Sequence, residues 1–419
     1  MNIIAAMLFA LALIHTFTAK SFERLAHHSP KHHGLFHLLG EIEVVFGLWA
    51  AILIVFMAFV LGGNEALEYV ETRHYTEPLF VFVIMVVAAS RPILEAMKSA
   101  IGVMASIAPV RTAVMRVWLC MSLVPLFGSL ITEPAAMTLG ALMLAPLVFR
   151  KSTPEWLKYG ALGVLFVNIS IGGTLTHFAA PPVLMVAATW GWDTAFMAAT
   201  FGWKAAIAVI INGTVITFML SKHLSDEADR QASAQTGTKV PFAVSLVHML
   251  FLLGVVVFAH HPVVFMGLFL FFIGYTVAYP EHQSPLILKE GLLVGFFLAG
   301  LVVLGGMQQW WLQPIVSGLE PMSLFWGATA LTAITDNAAL TYLGSLIEGI
   351  SEPSKYMLVA GAVAGGGLTP IANAPNPAGV ALLKGGFNEG TISIGGLVLG
   401  ALAPTAMACA MFLAFQPSF

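Results

Sequence analysis

The sequence predicts an all-α polytopic membrane protein built from two inverted-topology repeats, and three observations carry that prediction. The 419 residues are 58% hydrophobic and only 9% charged, whereas a soluble domain carries about 25% charged residues. Apolar runs such as 42–61 and 242–258 approach the roughly 20 residues that cross a bilayer as helix. A polar motif that interrupts an apolar run recurs, in the same context, in each half of the chain. The formal net charge of −3 supplies no basic surface for nucleic acid. Cys120 and Cys409 lie in apolar stretches and form neither a disulfide framework nor a metal-ligand spacing.

Taken in order, the candidate spans are 2–19, 42–63, 78–98, 159–190, 194–220, 242–259, 262–279, 290–312, 356–384 and 390–416. Residues 2–19 read as a retained first span, because no positive segment precedes them and no small-residue cleavage site follows. Two further runs are interrupted: 117–149 by Pro125, Gly128 and Thr132-Glu133-Pro134, and 323–350 by Thr335-Asp336-Asn337. Each is expected to enter the membrane and return as a re-entrant helical hairpin. Residues 99–116, with Met104, Ile107 and Val110 among small and basic residues, are expected to form a helix along the inner interface.

Lysine and arginine placement sets sidedness. Lys20, Arg24 and Lys31 mark 20–38 as cytoplasmic, and Glu65, Glu68, Glu71 and Glu77 mark 62–77 as external. Arg91, Lys98, Arg111 and Arg116 precede the first hairpin and Arg150, Lys151 and Lys158 follow it, so its ends face inward. Glu320, Glu348 and Glu352 flank the second, whose ends face outward. Both termini are then external. A polar linker, 223–241, with Arg230 and Lys239, joins an N-terminal repeat (1–222) to a C-terminal repeat (242–419).

The repeat rests on two matched pairs. Ile131-Thr132-Glu133-Pro134-Ala135-Ala136-Met137-Thr138 lies on Ile334-Thr335-Asp336-Asn337-Ala338-Ala339-Leu340-Thr341 without a gap, and Gly173-Thr174-Leu175-Thr176 lies on Gly366-Gly367-Leu368-Thr369. Each half thus reads as three spans, a hairpin, a broken helix and a final span. Pro181, Pro182, Pro370, Pro375 and Pro377 remove backbone donors, and backbone so freed is tolerated at membrane depth only where protein or a polar cavity satisfies it. The four interruptions are therefore expected to converge on one cavity, a recurrent plan of secondary transporters.

Glu133 and Asp336 are the principal site candidates, as proton and cation ligands and as the sodium site. A charge at the bilayer centre costs about 2.5–3.5 kcal/mol even on the gentler scale, so a carboxylate placed there usually has a purpose. A desolvated carboxyl is stabilised either by a proton or by a cation, and the competition between them is an exchange mechanism. The plainer alternative is a hairpin tip in interfacial water with the acid as a helix cap. Thr132, Thr335, Thr176 and Thr369 add hydroxyl oxygens, and Asn337, Asn373 and Asn376 add amide oxygens. Such hard donors suit sodium or lithium, although threonine and asparagine in membrane helices also serve as interhelical hydrogen-bonding groups.

Lys204, midway along its span, is a candidate counter-ion to either acid, with snorkelling as the alternative; Asn212 reads as packing. His177 is a candidate proton shuttle, with a structural histidine as the plainer reading. The segment His27-His28-Ser29-Pro30-Lys31-His32-His33, with His37 beyond, has no carboxylate or cysteine to complete a ligand set and reads as solvated, with a metal- or pH-sensing role as the alternative. A membrane enzyme is disfavoured because no nucleophile–base motif, zinc-type His-Glu spacing or phosphate loop is present.

At these residues the sequence resembles the ion-transporter superfamily, which includes divalent-anion/sodium symporters, arsenite permeases and NhaD-type sodium/proton antiporters. It looks closest to a bacterial group of sodium/proton antiporters. The resemblance spans nearly the whole chain through its hairpins and broken helices. It implies an inner-membrane homodimer with a scaffold part and a transport part in each half, moving Na+ and H+ past membrane lipid without a cofactor. One departure is informative. Dicarboxylate symporters carry Ser-Asn-Thr at each hairpin tip, where this chain has Thr132-Glu133-Pro134 and Thr335-Asp336-Asn337. Two fixed acids repel a dicarboxylate and attract a cation, so cation/proton exchange is preferred over an organic-anion or metalloid-oxyanion carrier, and Pro134 is not carried over as a ligand.

Overall fold

The computed structural model describes residues 1–227, 229 and 240–418; the middle of the linker, with Arg230 and Lys239, lies outside the described residues. Those residues are helical, with no strand among them. Six helices are long and apolar enough to cross a membrane, or eight if each bent pair is one span, which makes this an integral membrane protein.

In the first half, α1 (Asn2–His28), α2 (His33–Gly40), α3 (Ile42–Val60), α4 (Gly63–Glu71) and α5 (Thr76–Ala88) precede α6 (Arg91–Ile107). Helix α1 runs nine residues past the expected end at 19 and takes in His28. The expected span 78–98 is corrected: α5 and α6 meet at a 61° bend, and the helix expected over 99–116 instead starts at Arg91 and ends at Ile107. The cause is Pro92, which fits the first turn of a new helix but disfavours helical backbone in the residue before it.

The first interrupted run forms α7 (Thr112–Met121), α8 (Leu123–Ile131) and α9 (Glu133–Leu144). Its first arm bends by 44° between α7 and α8, at Ser122 rather than at Pro125, which sits harmlessly in the first turn of α8. The broken helix follows as α10 (Glu155–Gly172) and α11 (Pro181–Trp190), then α12 (Thr194–Met197) leads through a π-helical turn at Ala198–Gly202 into α13 (Trp203–Leu220). The start of the linker is pinned rather than free: Asp226 pairs with Arg111 at 3.2 Å and Asp229 with Arg116 at 2.5 Å.

The second half comprises α14 (Phe242–Val257), α15 (Pro262–Ala278), α16 (Leu288–Gly305), α17 (Gln309–Val316), the hairpin α18 (Pro321–Thr332) and α19 (Asn337–Ser345), the broken pair α20 (Glu352–Gly365) and α21 (Asn376–Leu383), and α22 (Ile394–Ala414).

Packing crosses between the halves. Helix α21 of the second half lies on α9 of the first, and α11 of the first lies on α19 of the second. Three helix pairs touch at glycines, as expected where no hydrophobic force separates lipid from protein and close backbone approach governs association. A Cβ on Gly300 would strike the Gly47 backbone (α16 on α3), one on Gly163 the Gly400 backbone (α10 on α22), and one on Gly361 the Phe325 carbonyl (α20 on α18). The α3–α16 contact matters most below, because it seats the start of α3 on α16 beside Asp336.

Candidate functional site

The site is built where the two hairpin tips meet the two unwound segments. At the first tip, Thr132 precedes α9 with φ 77° and ψ 152°, a region almost reserved for glycine that costs about 1–3 kcal/mol. It is the one non-glycine residue with positive φ among those described. That turn delivers Glu133, the first residue of α9, into the interior with no exposed surface. Its Oε2 accepts a hydrogen bond from Asn373 Nδ2 at 2.8 Å, while Oε1 is buried without a partner. Gly173 makes this possible, since a Cβ there would lie 2.6 Å from Oε1.

At the second tip, Asp336 is the N-cap of α19 and accepts from the backbone N–H of Ala338 at 2.8 Å and of Ala339 at 3.2 Å. It is half-buried. The next residue, Asn337, donates its backbone N–H to the Ala372 carbonyl at 3.1 Å, and both atoms of its buried side-chain amide lack partners. Asp336 lines a cavity of about 30 Å³ together with Glu43, Pro370 and Asn373, and one of about 20 Å³ with Thr16 and Thr335. Volumes of this size admit one or two water-sized particles.

Asn373 joins the two tips. It is 1% exposed, holds Glu133 through its nitrogen, lines the cavity of Asp336, and has an unpartnered Oδ1. The Glu133 tip is thus bound through Asn373 to the unwound segment of the other half, and Asn373 also lines the cavity of Asp336, whereas Glu133 lines neither cavity at Asp336.

The remaining candidates divide. Thr132 Oγ1 and Asn376 Oδ1 are buried and unpartnered, and Asn376 Nδ2 donates to the carbonyls of Gly366 and Thr369, each at 2.8 Å. Thr176 donates to the Ser129 carbonyl at 2.7 Å and Thr369 to the Ala333 carbonyl at 2.8 Å, so these two hydroxyls fasten each unwound segment to a hairpin arm of its own half. Thr335 donates to Leu331 within its own turn at 3.1 Å.

Lys204 is not the counter-ion expected. Its Nζ donates to Tyr356 Oη at 3.0 Å, and that hydroxyl donates to the Phe412 carbonyl at 2.7 Å; Lys204 forms no ion pair with an acid among the described residues. Nor does His177 reach the acids: it bonds Thr194 at 2.8 Å and stacks on His260 at 5.8 Å, in a separate pocket with Glu77. In the histidine-rich stretch His37 pairs with Glu41 at 3.4 Å, and no metal-binding group of His, Cys, Asp or Glu occurs among the described residues. Asn212 bonds Asn168 at 3.0 Å, as packing requires.

Sequence reasoning missed Glu43 and Ser129. Ser129 Oγ donates to the Gly172 carbonyl at 2.7 Å and accepts from the Leu175 N–H at 3.0 Å, closing the first unwound segment. Glu43 stands inside the apolar run that begins at Ile42, and an acid in the first turn of a span was the available signal.

No curated protein matches the chain. The profile of a family described as "Putative Na+/H+ antiporter" matches residues 1–415. With nearly the full length matched, and with two acids of opposite halves drawn to one polar centre, the chain belongs to that Na+/H+ antiporter family.

Proposed function

We propose that the protein exchanges a monovalent cation, sodium or lithium, for protons across the membrane, using Glu133 and Asp336 as the groups at which proton and cation displace one another. The observation that carries this reading is the Asn373 bridge, which bonds Glu133 and lines the cavity of Asp336. Unpartnered oxygens on Glu133, Thr132, Asn337, Asn373 and Asn376 are hard donors of the kind a small alkali ion takes. When the cation is bound, these oxygens replace its hydration shell; when it leaves, protons neutralise the acids, whose burial opposes bare charge. The matching order of hairpin, broken helix and final helix in each half supports inverted repeats, and we place the transport part of each half at its hairpin and broken helix, within a bacterial inner-membrane homodimer. An anion carrier finds no support here, because no cationic side chain lines either cavity at Asp336.

The test is proton flux in proteoliposomes with sodium, lithium, potassium, calcium and dicarboxylates added in turn. Sodium or lithium is expected to drive proton movement and dicarboxylates are not; a dicarboxylate response alone overturns the reading. Glu133→Gln and Asp336→Asn each abolish exchange while the protein still elutes as a single folded species. Exchange retained in both places the proton site elsewhere.

A further inference from the structure

Glu43 is a third carboxylate beside the two already described. It lies in the first turn of α3, and the Gly47–Gly300 crossing just beyond that turn seats it against the middle of α16. Glu43 shares the cavity of Asp336 with Val294 and Phe297 of α16 and with Pro370, Ile371 and Asn373 of the unwound segment. The cavity is not merely acidic: Asn373, 1% exposed, is among its lining residues, and its Oδ1 has no partner. Toward solvent stands an ion pair, Lys289 Nζ to Glu41 Oε1 at 2.8 Å, with the Lys289 side chain 64% exposed and Glu41 at 17%. Glu41 also meets His37, and its second oxygen, Oε2, is buried without a partner. The sequence of groups from solvent inward is thus Lys289, Glu41, Glu43, Asp336, Asn373, Glu133.

We propose that Glu43 is an access site for the transported alkali cation, occupied before the ion reaches Asp336, and that the Glu41–Lys289 pair forms the lip of this path on the face carrying residues 29–41. This rests on the cation-exchange reading above and adds a residue and a direction to it. A carboxylate at the mouth of a narrow path raises the local cation concentration and lowers the concentration needed to fill the inner site. Its removal therefore acts on KM more than on the maximal rate.

The experiment measures sodium- or lithium-driven proton flux in vesicles of both orientations for wild type, Glu43→Gln and Glu43→Asp. Expected is a rise in cation KM of about tenfold in Glu43→Gln, for cation presented on the face of residues 29–41 only, with maximal rate within about twofold of wild type. Glu43→Asp, which keeps the charge, restores most of the affinity. An unchanged KM, an equal rise from both faces, or a loss that Glu43→Asp repeats in full overturns the proposal. Absence of exchange in wild type strikes the function itself, and wild-type exchange with an indifferent Glu43→Gln strikes only this step.

Discussion

The two hairpin tips carry matching sequences and hold their acids in opposite ways. Asp336 is a conventional helix cap, its carboxylate engaged by two backbone N–H groups of its own helix. Glu133 sits one position further in, past a Thr132 forced to φ 77°, and its one bond comes from Asn373 in the other half of the chain. The second tip is thus stabilised locally and opens to small cavities, while the first is stabilised only by assembly and is fully enclosed. A pair of acids related by sequence need not do equal work: in the exchange proposed above, Asp336 is the acid that meets an arriving ion and Glu133 the one that holds it.

That comparison can be broken or sharpened by substitution. The largest effect is expected for Asn373→Ala, which strips Glu133 of its donor and the cavity of its amide oxygen. A hydrogen bond to a charged group is worth about 1.5–3 kcal/mol, so exchange should fall by about 10- to 100-fold, measured as proton flux at saturating cation. A fall of less than twofold would mean that Glu133 does not depend on the other half. Next comes Gly173→Ala, whose methyl would press on Glu133 Oε1, set against Gly366→Ala, whose methyl would press on Ser170 and Asn337. Both should lose about 1–3 kcal/mol of stability in thermal unfolding, with the deeper loss of exchange in Gly173→Ala. The smallest effect is at Thr132. Thr132→Gly relieves the backbone and should raise stability by about 1 kcal/mol, whereas Thr335→Gly, where φ is not positive, should lower it.

Much of this was legible because apolar runs advertise their interruptions. Thr132-Glu133-Pro134 and Thr335-Asp336-Asn337 stand out against hydrophobic neighbours, and both mark helix starts in the structure. The prolines and glycines at 172–182 and 365–377 likewise foretold the unwound segments. What escaped notice was either locally quiet or distant in sequence. The bend at Ser90 lies in a run read as one span, where Arg91 and Pro92 together were the signal. Glu43 drew no reading, because nothing local shows that α3 is drawn onto α16 at a glycine contact. Lys204 misled for the same reason: its partner, Tyr356, is 152 residues away, and a lysine in an apolar span attracts the nearest acid only on paper. The strain at Thr132 had no signature, since threonine does not announce a left-handed backbone as glycine does.

The bond between Asn373 and Glu133 spans 240 residues, and this sets an order of events during synthesis. The first hairpin leaves the ribosome with its acid unmatched and stays so until nearly the whole polypeptide has been made. A nascent chain arrested before residue 373 carries the Glu133 carboxyl without the one side chain that donates to it in the finished molecule.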